Sequence, residues 1–132
     1  DRVVHVSKNQ ELVKDGWIVL SDRGPASTAV YQGYTEGEDI DYIESENAKA
    51  MQELGPDLVV VLDADPVMLQ SRIENRGDAN RFDRESLNYH RSIRKAFEIL
   101  ARKNGWPVID ALQSEEAITL QLRAVLKEKL GI

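Results

Sequence analysis

Three short apolar runs, at residues 17–20, 58–62 and 106–109, are separated along the chain by longer segments with helical periodicity. The second run is an unbroken series of leucine and valine, typical of a strand that a parallel sheet buries on both faces. Strands that alternate with helices favour a parallel α/β sheet flanked by helices. The predicted order of elements is strand–helix–strand–helix–helix–strand–helix.

The segments between these runs carry helix signals at their ends. Apolar residues recur at a spacing near 3.6 between about residues 39 and 54, and Gly55 follows as a helix stop. Asp65, with proline directly after it, has the pattern of an N-cap followed by a proline at the first helical position. A long helix is predicted from about residue 84 to residue 103, and Ser114 is expected to cap the last helix.

The composition is that of one soluble domain. The chain has 132 residues, of which 42% are hydrophobic and 30% charged, a size and composition that allow a real core. No repeat, linker or low-complexity stretch divides it, so residues 1–132 are expected to form a single domain. Cysteine is absent, which excludes a disulfide framework and a thiolate metal site. Neither a membrane span nor a signal peptide is visible.

The net charge of −6 indicates a generally acidic surface. Non-specific binding to nucleic acid requires clustered lysine and arginine, so a nucleic-acid partner is not expected. Arg23 and the arginines at 72–81 are instead expected to make a locally basic site. An acidic protein with a locally basic cleft suits a small anionic substrate better than a polymer.

The first segment with candidate site residues follows the apolar run at 17–20. Asp22 and Arg23 stand where that predicted strand ends, and open α/β sheets bind ligands outside the carboxyl ends of their strands. The carboxylate can hold a metal ion through water, and the guanidinium fork can grip a phosphate. Asp22 could alternatively cap the turn that follows. Further hydrogen-bonding side chains come within ten residues: Ser27, Thr28, Tyr31 and Gln32.

The second segment is rich in arginine. Arg72 and Arg76 are four residues apart and share one face of a predicted helix. Arg81 lies in the glycine- and asparagine-containing stretch beyond, so the segment predicts a lid that closes over phosphates. The alternative is an ordinary salt-bridged surface, because acidic residues are interleaved with the arginines.

Together these motifs resemble a known family. The pattern Asp-Arg-x-x-x-Ser-x-x-x-Tyr-Gln-Gly at residues 22–33 is similar to the signature of bacterial thymidylate kinases, which phosphorylate dTMP with ATP and magnesium. Weaker matches follow in the family's order at residues 1–5, 55–66, 72–81 and 109–111. The similarity extends from Asp1 to about Val125.

The resemblance implies a fold and a set of partners. The fold would be a P-loop-kinase-like parallel sheet flanked by helices and incomplete at its N-terminus, since no Gly-x-x-x-x-Gly-Lys-Ser/Thr loop occurs in the sequence. The expected chain is thus the C-terminal part of a cytoplasmic, homodimeric enzyme with ATP, Mg²⁺ and dTMP as its ligands. The sheet's missing central strand would lie between the runs at 17–20 and 58–62, leaving an apolar slot there.

The resemblance also implies roles for individual residues. Asp22 would order magnesium through water, and Arg23 would bind the monophosphate. Tyr31 would lie against the sugar, where it could exclude a ribose 2′-hydroxyl; the alternative is a half-buried helix aromatic. The thymine would contact Arg2, Ser27, Thr28 and Gln32; the alternative for Arg2 is a surface arginine at a frayed terminus.

The donor nucleotide has its own expected ligands. Arg76 and Arg81 would join Asp22 and Arg23 in catalysis. Arg72, Arg76, Asp110 and Gln113 would hold ATP, with Arg76 and the turn at 110–113 flanking the adenine.

Two points leave alternatives open. Gly24 stands where the family usually has an aromatic residue or histidine, and Pro25 stiffens the loop beside it, so the preferred base is open. A catalytically inactive fragment or pseudo-enzyme that retains a nucleotide pocket is the alternative to an active kinase. A deoxynucleoside kinase shares the α/β scaffold but gives no reason for the Tyr-Gln-Gly match.

Overall fold

The computed structural model describes residues 2–35, 40–77 and 84–132 of the 132-residue chain. Its helices and strands follow one another as α1 (Arg2–Lys14), α2 (Pro25–Thr35), α3 (Ile40–Leu54), β1 (Val61–Asp63), α4 (Pro66–Asn75), α5 (Arg84–Asn104), β2 (Val108–Asp110) and α6 (Glu115–Leu130). The predicted mixed α/β class is confirmed, with helices flanking a small parallel sheet. None of the described helices is long and apolar enough to cross a lipid bilayer.

The two strands of the sheet come from the second and third apolar runs. β1 pairs with β2 in parallel, and Asp63 at the end of β1 lies opposite Asp110 at the end of β2. The backbone N–H of Ala111 donates to the carbonyl of Asp63 at 2.8 Å, which extends the pairing just beyond the strands. Both strands begin later than the apolar runs suggest. Because each strand ends in an aspartate, two carboxylates stand at the carboxyl edge of the sheet.

The strand predicted at residues 17–20 is wrong for this structure. Trp17, Ile18 and Leu20 are 67%, 74% and 94% exposed, and no described residue pairs with this run as a neighbouring strand. A strand exists only when another backbone satisfies its N–H and C=O groups, and apolar composition cannot supply that partner. The run therefore leaves α1 as exposed chain outside the described sheet, with the Trp17 N–H donating back to the Leu12 carbonyl at 3.0 Å.

The core lies where α2, α3 and α5 meet. α5 contributes Ile93, Ala96 and Leu100, which recur at helical spacing and are nearly inaccessible to solvent. Val30 of α2 and Ile43 of α3 complete this cluster from the opposite side. Partly buried side chains pack around it: Ile40, Tyr89, Phe97 and Trp106.

The predicted helix ends are confirmed where the structure describes them. Asp65 accepts a hydrogen bond from the Val67 N–H at 2.9 Å and so caps α4, with proline at the first helical position. Ser114 caps α6 by accepting from the Ala117 N–H at 3.2 Å. Gly55 ends α3 with a φ of 48°, a left-handed conformation that glycine adopts without steric cost.

Gly33 sets how closely α2 approaches α3. A methyl group built at this position would lie 2.3 Å from Cγ1 of Ile43, far inside van der Waals contact. Ile43 is itself 4% exposed and has little room to withdraw. The glycine therefore permits a helix contact that no larger residue allows without displacement.

We expect Gly33→Ala to destabilise the protein by about 1–3 kcal/mol, because the clash outweighs the helix propensity that alanine gains. Gly24→Ala is the matched control, since nothing lies within 4 Å of a methyl group there. Urea unfolding followed by circular dichroism measures both variants. Combining Gly33→Ala with Ile43→Ala should cost less than the sum of the single changes. A stabilised Gly33→Ala variant would contradict this packing.

Candidate functional site

The loop before α2 presents two charged side chains to solvent. The Ser21 hydroxyl donates to the carbonyl of Arg23 at 2.7 Å, and the Ser27 N–H donates to the carbonyl of Gly24 at 3.1 Å. These bonds shape the loop through its backbone and leave the side chains of Asp22 and Arg23 exposed. Neither side chain is hydrogen-bonded or ion-paired with another described residue. A carboxylate and a guanidinium are thus available to a ligand at one point of the chain.

Helix α2 carries the next predicted residues. Ser27 and Thr28 are partly buried on its first turns. Tyr31 is 37% exposed, and its ring meets Phe97 of α5 edge-on, with centroids 6.4 Å apart and planes at 71°. Tyr31 thus has the packing expected of a half-buried helix aromatic, which is the alternative that the sequence left open. The contact with Phe97 also fixes the ring's position against α5.

Three predicted site residues fall wholly or partly outside the description. Arg81 lies outside the described residues. Arg2 belongs to α1 and Gln32 to α2, but their side chains are not among those described. Their roles stay predictions.

Arg72 is bonded to the backbone of the turn after β2. Its Nη1 donates to the carbonyl of Ala111 at 2.9 Å, and its Nη2 donates to those of Leu112 and Gln113 at 3.2 and 3.1 Å. A guanidinium offers five N–H donors in a fixed plane, so one side chain can hold three successive carbonyls. Arg72 therefore ties α4 to the turn that leads into α6.

The same turn is held from within. Oδ1 of Asp110 accepts from the Leu112 N–H at 2.8 Å, and Nε2 of Gln113 donates to the Asp110 carbonyl at 3.0 Å. The structure thus brings together three of the four residues predicted to bind ATP: Arg72, Asp110 and Gln113. The fourth, Arg76, is the exposed C-cap residue of α4.

Sequence reasoning missed the main ion-pair cluster. Arg94 of α5 binds Asp63 through two parallel bonds, from Nε to Oδ1 and from Nη2 to Oδ2, both 2.8 Å long. Its Nη1 also reaches Oδ2 of Asp65 at 3.2 Å, and Glu98 lies 3.5 Å from Nε. Arg94 lies 31 residues beyond Asp63, and no local pattern links partners so far apart. The available signals were the strand-end Asp-x-Asp pattern and the i, i+4 spacing of Arg94 and Glu98.

The electrostatics of this cluster follow from its geometry. The hydrogen bonds to Asp63 raise the pKa of Arg94 well above its usual range, partial burial opposes that rise, and attraction to Asp63, Glu98 and Asp65 adds to it. Arg94 therefore remains charged at every accessible pH. The cluster fastens α5 to the carboxyl edge of the sheet.

The predicted site residues form two separate groups. Asp22, Arg23 and the polar face of α2 make the first group. Arg72, the turn at 110–113 and Arg76 make the second. α5 contacts α2 on one side and α4 and β1 on the other, so it is the element that connects them.

The described side chains offer a metal ion few ligands. The described residues hold no cluster of three or more acidic or histidine side chains that could enclose an ion. Asp22 offers one exposed carboxylate, which suits contact through water with a hydrated Mg²⁺, an ion that usually keeps several of its waters.

Comparisons with known proteins agree on one family. The family model for thymidylate kinase matches residues 1–122. Thymidylate kinase of Carboxydothermus hydrogenoformans is 37% identical over 129 residues, covering 96% of this chain and 63% of the relative. The enzyme of Desulfovibrio desulfuricans is 34% identical, covering 98% and 64%, and the probable thymidylate kinase of Pyrobaculum aerophilum is 34% identical, covering 96% and 64%. The chain thus spans somewhat under two thirds of these relatives, and it belongs to the thymidylate kinase family.

Proposed function

We propose that the protein containing this chain transfers the γ-phosphoryl group of ATP to dTMP and so forms dTDP. The observation that carries the proposal is the family match over residues 1–122. Phosphoryl transfer of this kind requires positioning and charge stabilisation more than covalent chemistry from the protein. Exposed Arg23 and Arg76, a carboxylate without a partner among the described residues and a hydrogen-bonded turn suit that requirement.

In this proposal the loop before α2 and α2 itself bind dTMP. Arg23 binds the monophosphate, because its guanidinium fork is free of other described partners and matches a phosphate's oxygens. Ser27 and Thr28 contact the thymine together with Gln32 and Arg2. A donor from Arg2 to the thymine O4 would reject cytosine, whose amino group is itself a donor.

Tyr31 discriminates between deoxyribose and ribose in the proposed complex. Its ring is supported edge-on by Phe97, so it cannot turn aside freely to admit a 2′-hydroxyl. The packing contact and the substrate contact are compatible because the phenol is still 37% exposed.

The donor nucleotide occupies the second group of residues. Arg76 and the turn that contains Asp110 and Gln113 flank the adenine, and Arg72 supports that turn through its three carbonyl bonds. Arg81 completes the proposed set by neutralising charge on the transferring phosphoryl group. Asp22 would hold Mg²⁺ through water, and the ion would supply positive charge that offsets the charge of the phosphates.

The remaining parts of the proposal concern the whole protein. The glycine-rich loop that cradles ATP phosphates has no counterpart in these residues, so we assign it to another segment of a P-loop-kinase-like sheet. The enzyme would act in the cytoplasm as a homodimer. An inactive nucleotide-binding protein is the competing outcome of the first experiment below.

The first experiment joins this chain to a thymidylate kinase segment that carries Gly-x-x-x-x-Gly-Lys-Ser/Thr. We expect this hybrid, unlike the isolated chain, to consume ATP in a coupled assay with dTMP and Mg²⁺. Thymidine in place of dTMP should give no turnover. A folded hybrid without activity would contradict the proposal and favour the inactive protein, while activity on thymidine would favour a deoxynucleoside kinase.

The second experiment tests the phosphate contact. We expect Arg23→Ala in the hybrid to raise KM for dTMP by about tenfold to a hundredfold, because charge-assisted hydrogen bonds contribute about 1.5–3 kcal/mol each. Arg123→Ala is the matched control, since Arg123 is an exposed arginine on α6 that belongs to neither group. Equal effects of the two changes would contradict the role of Arg23.

A further inference from the structure

Helix α5 has two different contact surfaces. One is the apolar face that packs into the core with α2 and α3 through Ile93, Ala96 and Leu100. The other carries Arg94, whose guanidinium reaches the end of β1 and the start of α4. Arg94 is thus a link between the core and the part of the protein proposed to bind ATP.

Asp65 divides its two carboxylate oxygens between neighbouring elements. Oδ1 accepts from the Val67 N–H at 2.9 Å and from the Met68 N–H at 3.4 Å, which caps α4. Oδ2 faces Nη1 of Arg94 at 3.2 Å. The residue that begins α4 is therefore held by the same side chain that holds the end of β1.

The far end of α4 is fixed in a different way. Arg72, on its last turn, binds the three carbonyls of the turn at 111–113, and Arg76 follows directly after the helix. A rotation of α4 about its N-terminus would shift both arginines, and the three bonds of Arg72 would couple that shift to the turn. The placement of the proposed adenine contacts thus depends on where Arg94 holds Asp65.

We propose that Arg94 is a positioning residue for the donor nucleotide: through Asp63 and Asp65 it sets the orientation of α4, and through α4 that of Arg76 and the turn at 110–113. The expected effect on ATP binding rests on the proposed function, whereas the expected effect on the orientation of α4 does not. Arg94 itself touches neither nucleotide in this account.

The charges explain why this position requires arginine. Asp63 and Asp65 both point toward Arg94, and their side chains are 23% and 45% exposed. Without the cation the two carboxylates repel each other across the start of α4. Lysine would keep the charge, but its single ammonium cannot form the parallel pair of bonds to Asp63 and reach Asp65 in the same plane.

The structural test uses this chain and amide hydrogen exchange. We expect Arg94→Met, and to a smaller extent Arg94→Lys, to speed exchange in α4 by about tenfold or more while α2 and α3 change little. Lys103→Met is the matched control, because Lys103 pairs with Glu44 and links α5 to α3 instead. Uniformly faster exchange in all helices would reduce Arg94 to a general stabiliser and overturn the inference.

The kinetic test uses the active hybrid. We expect Arg94→Lys to raise KM for ATP by about tenfold, because small misplacements of binding groups have large effects, while KM for dTMP stays within about twofold. Asp63→Asn should act in the same direction, and the double variant should be little worse than either single one, because both changes break one interaction. Equal effects on both KM values, or no effect on either, would overturn the inference.

The two tests separate failure of the inference from failure of the proposed function. An inactive wild-type hybrid contradicts the kinase proposal, yet the exchange pattern of Arg94→Met still decides whether Arg94 orients α4. An active wild-type hybrid with unchanged kinetics in Arg94→Lys contradicts the inference alone.

Discussion

The arrangement of this protein depends on helix α5 and on the two kinds of contact it makes. Its apolar face is buried against α2 and α3, where the stabilisation is hydrophobic and depends little on the exact orientation of the side chains. Its Arg94 forms a bidentate pair with Asp63, where the stabilisation is directional. The first contact holds the helices together, and the second sets how the sheet edge lies against them.

This division explains how two groups of site residues can be placed by one small core. The proposed dTMP side lies on α2 and its preceding loop, which pack directly on the apolar face of α5. The proposed ATP side lies on α4 and the turn after β2, which depend on the hydrogen bonds of Arg94, Arg72 and Asp110. In the proposed function both groups serve one reaction, because in-line transfer needs the two nucleotides held in register.

Local signals in the sequence predicted local structure well. The caps at Asp65 and Ser114 and the glycine stop at Gly55 were all predicted, because each depends on bonds between residues close in the chain. The strand predicted at 17–20 was wrong, because a strand needs a neighbouring backbone to pair with and composition does not reveal whether one is present. The pairing of Arg94 with Asp63 and Asp65 could not be predicted, because these two partners lie about thirty residues away and the chain's path alone brings them together.

In the candidate site, too, the sequence could predict local features but not contacts between distant residues. The Asp-Arg pair and the polar face of α2 lie on one continuous stretch, so the sequence could group them. Tertiary structure is what brings Arg72 to the turn that contains Asp110 and Gln113. The family resemblance anticipated this grouping, but the use of Arg72 as a support for backbone carbonyls became evident only in three dimensions.

The central claim is that α5 joins an acceptor-binding half to a donor-binding half. The measurement that tests it most directly is a crystal structure of the active hybrid with dTMP and a non-hydrolysable ATP analogue bound. The account predicts the dTMP phosphate on Arg23, the adenine between Arg76 and the turn at 110–113, and Arg94 still paired with Asp63 and Asp65. Nucleotides bound elsewhere, or an Arg94 that has left both carboxylates to contact a nucleotide, would contradict it.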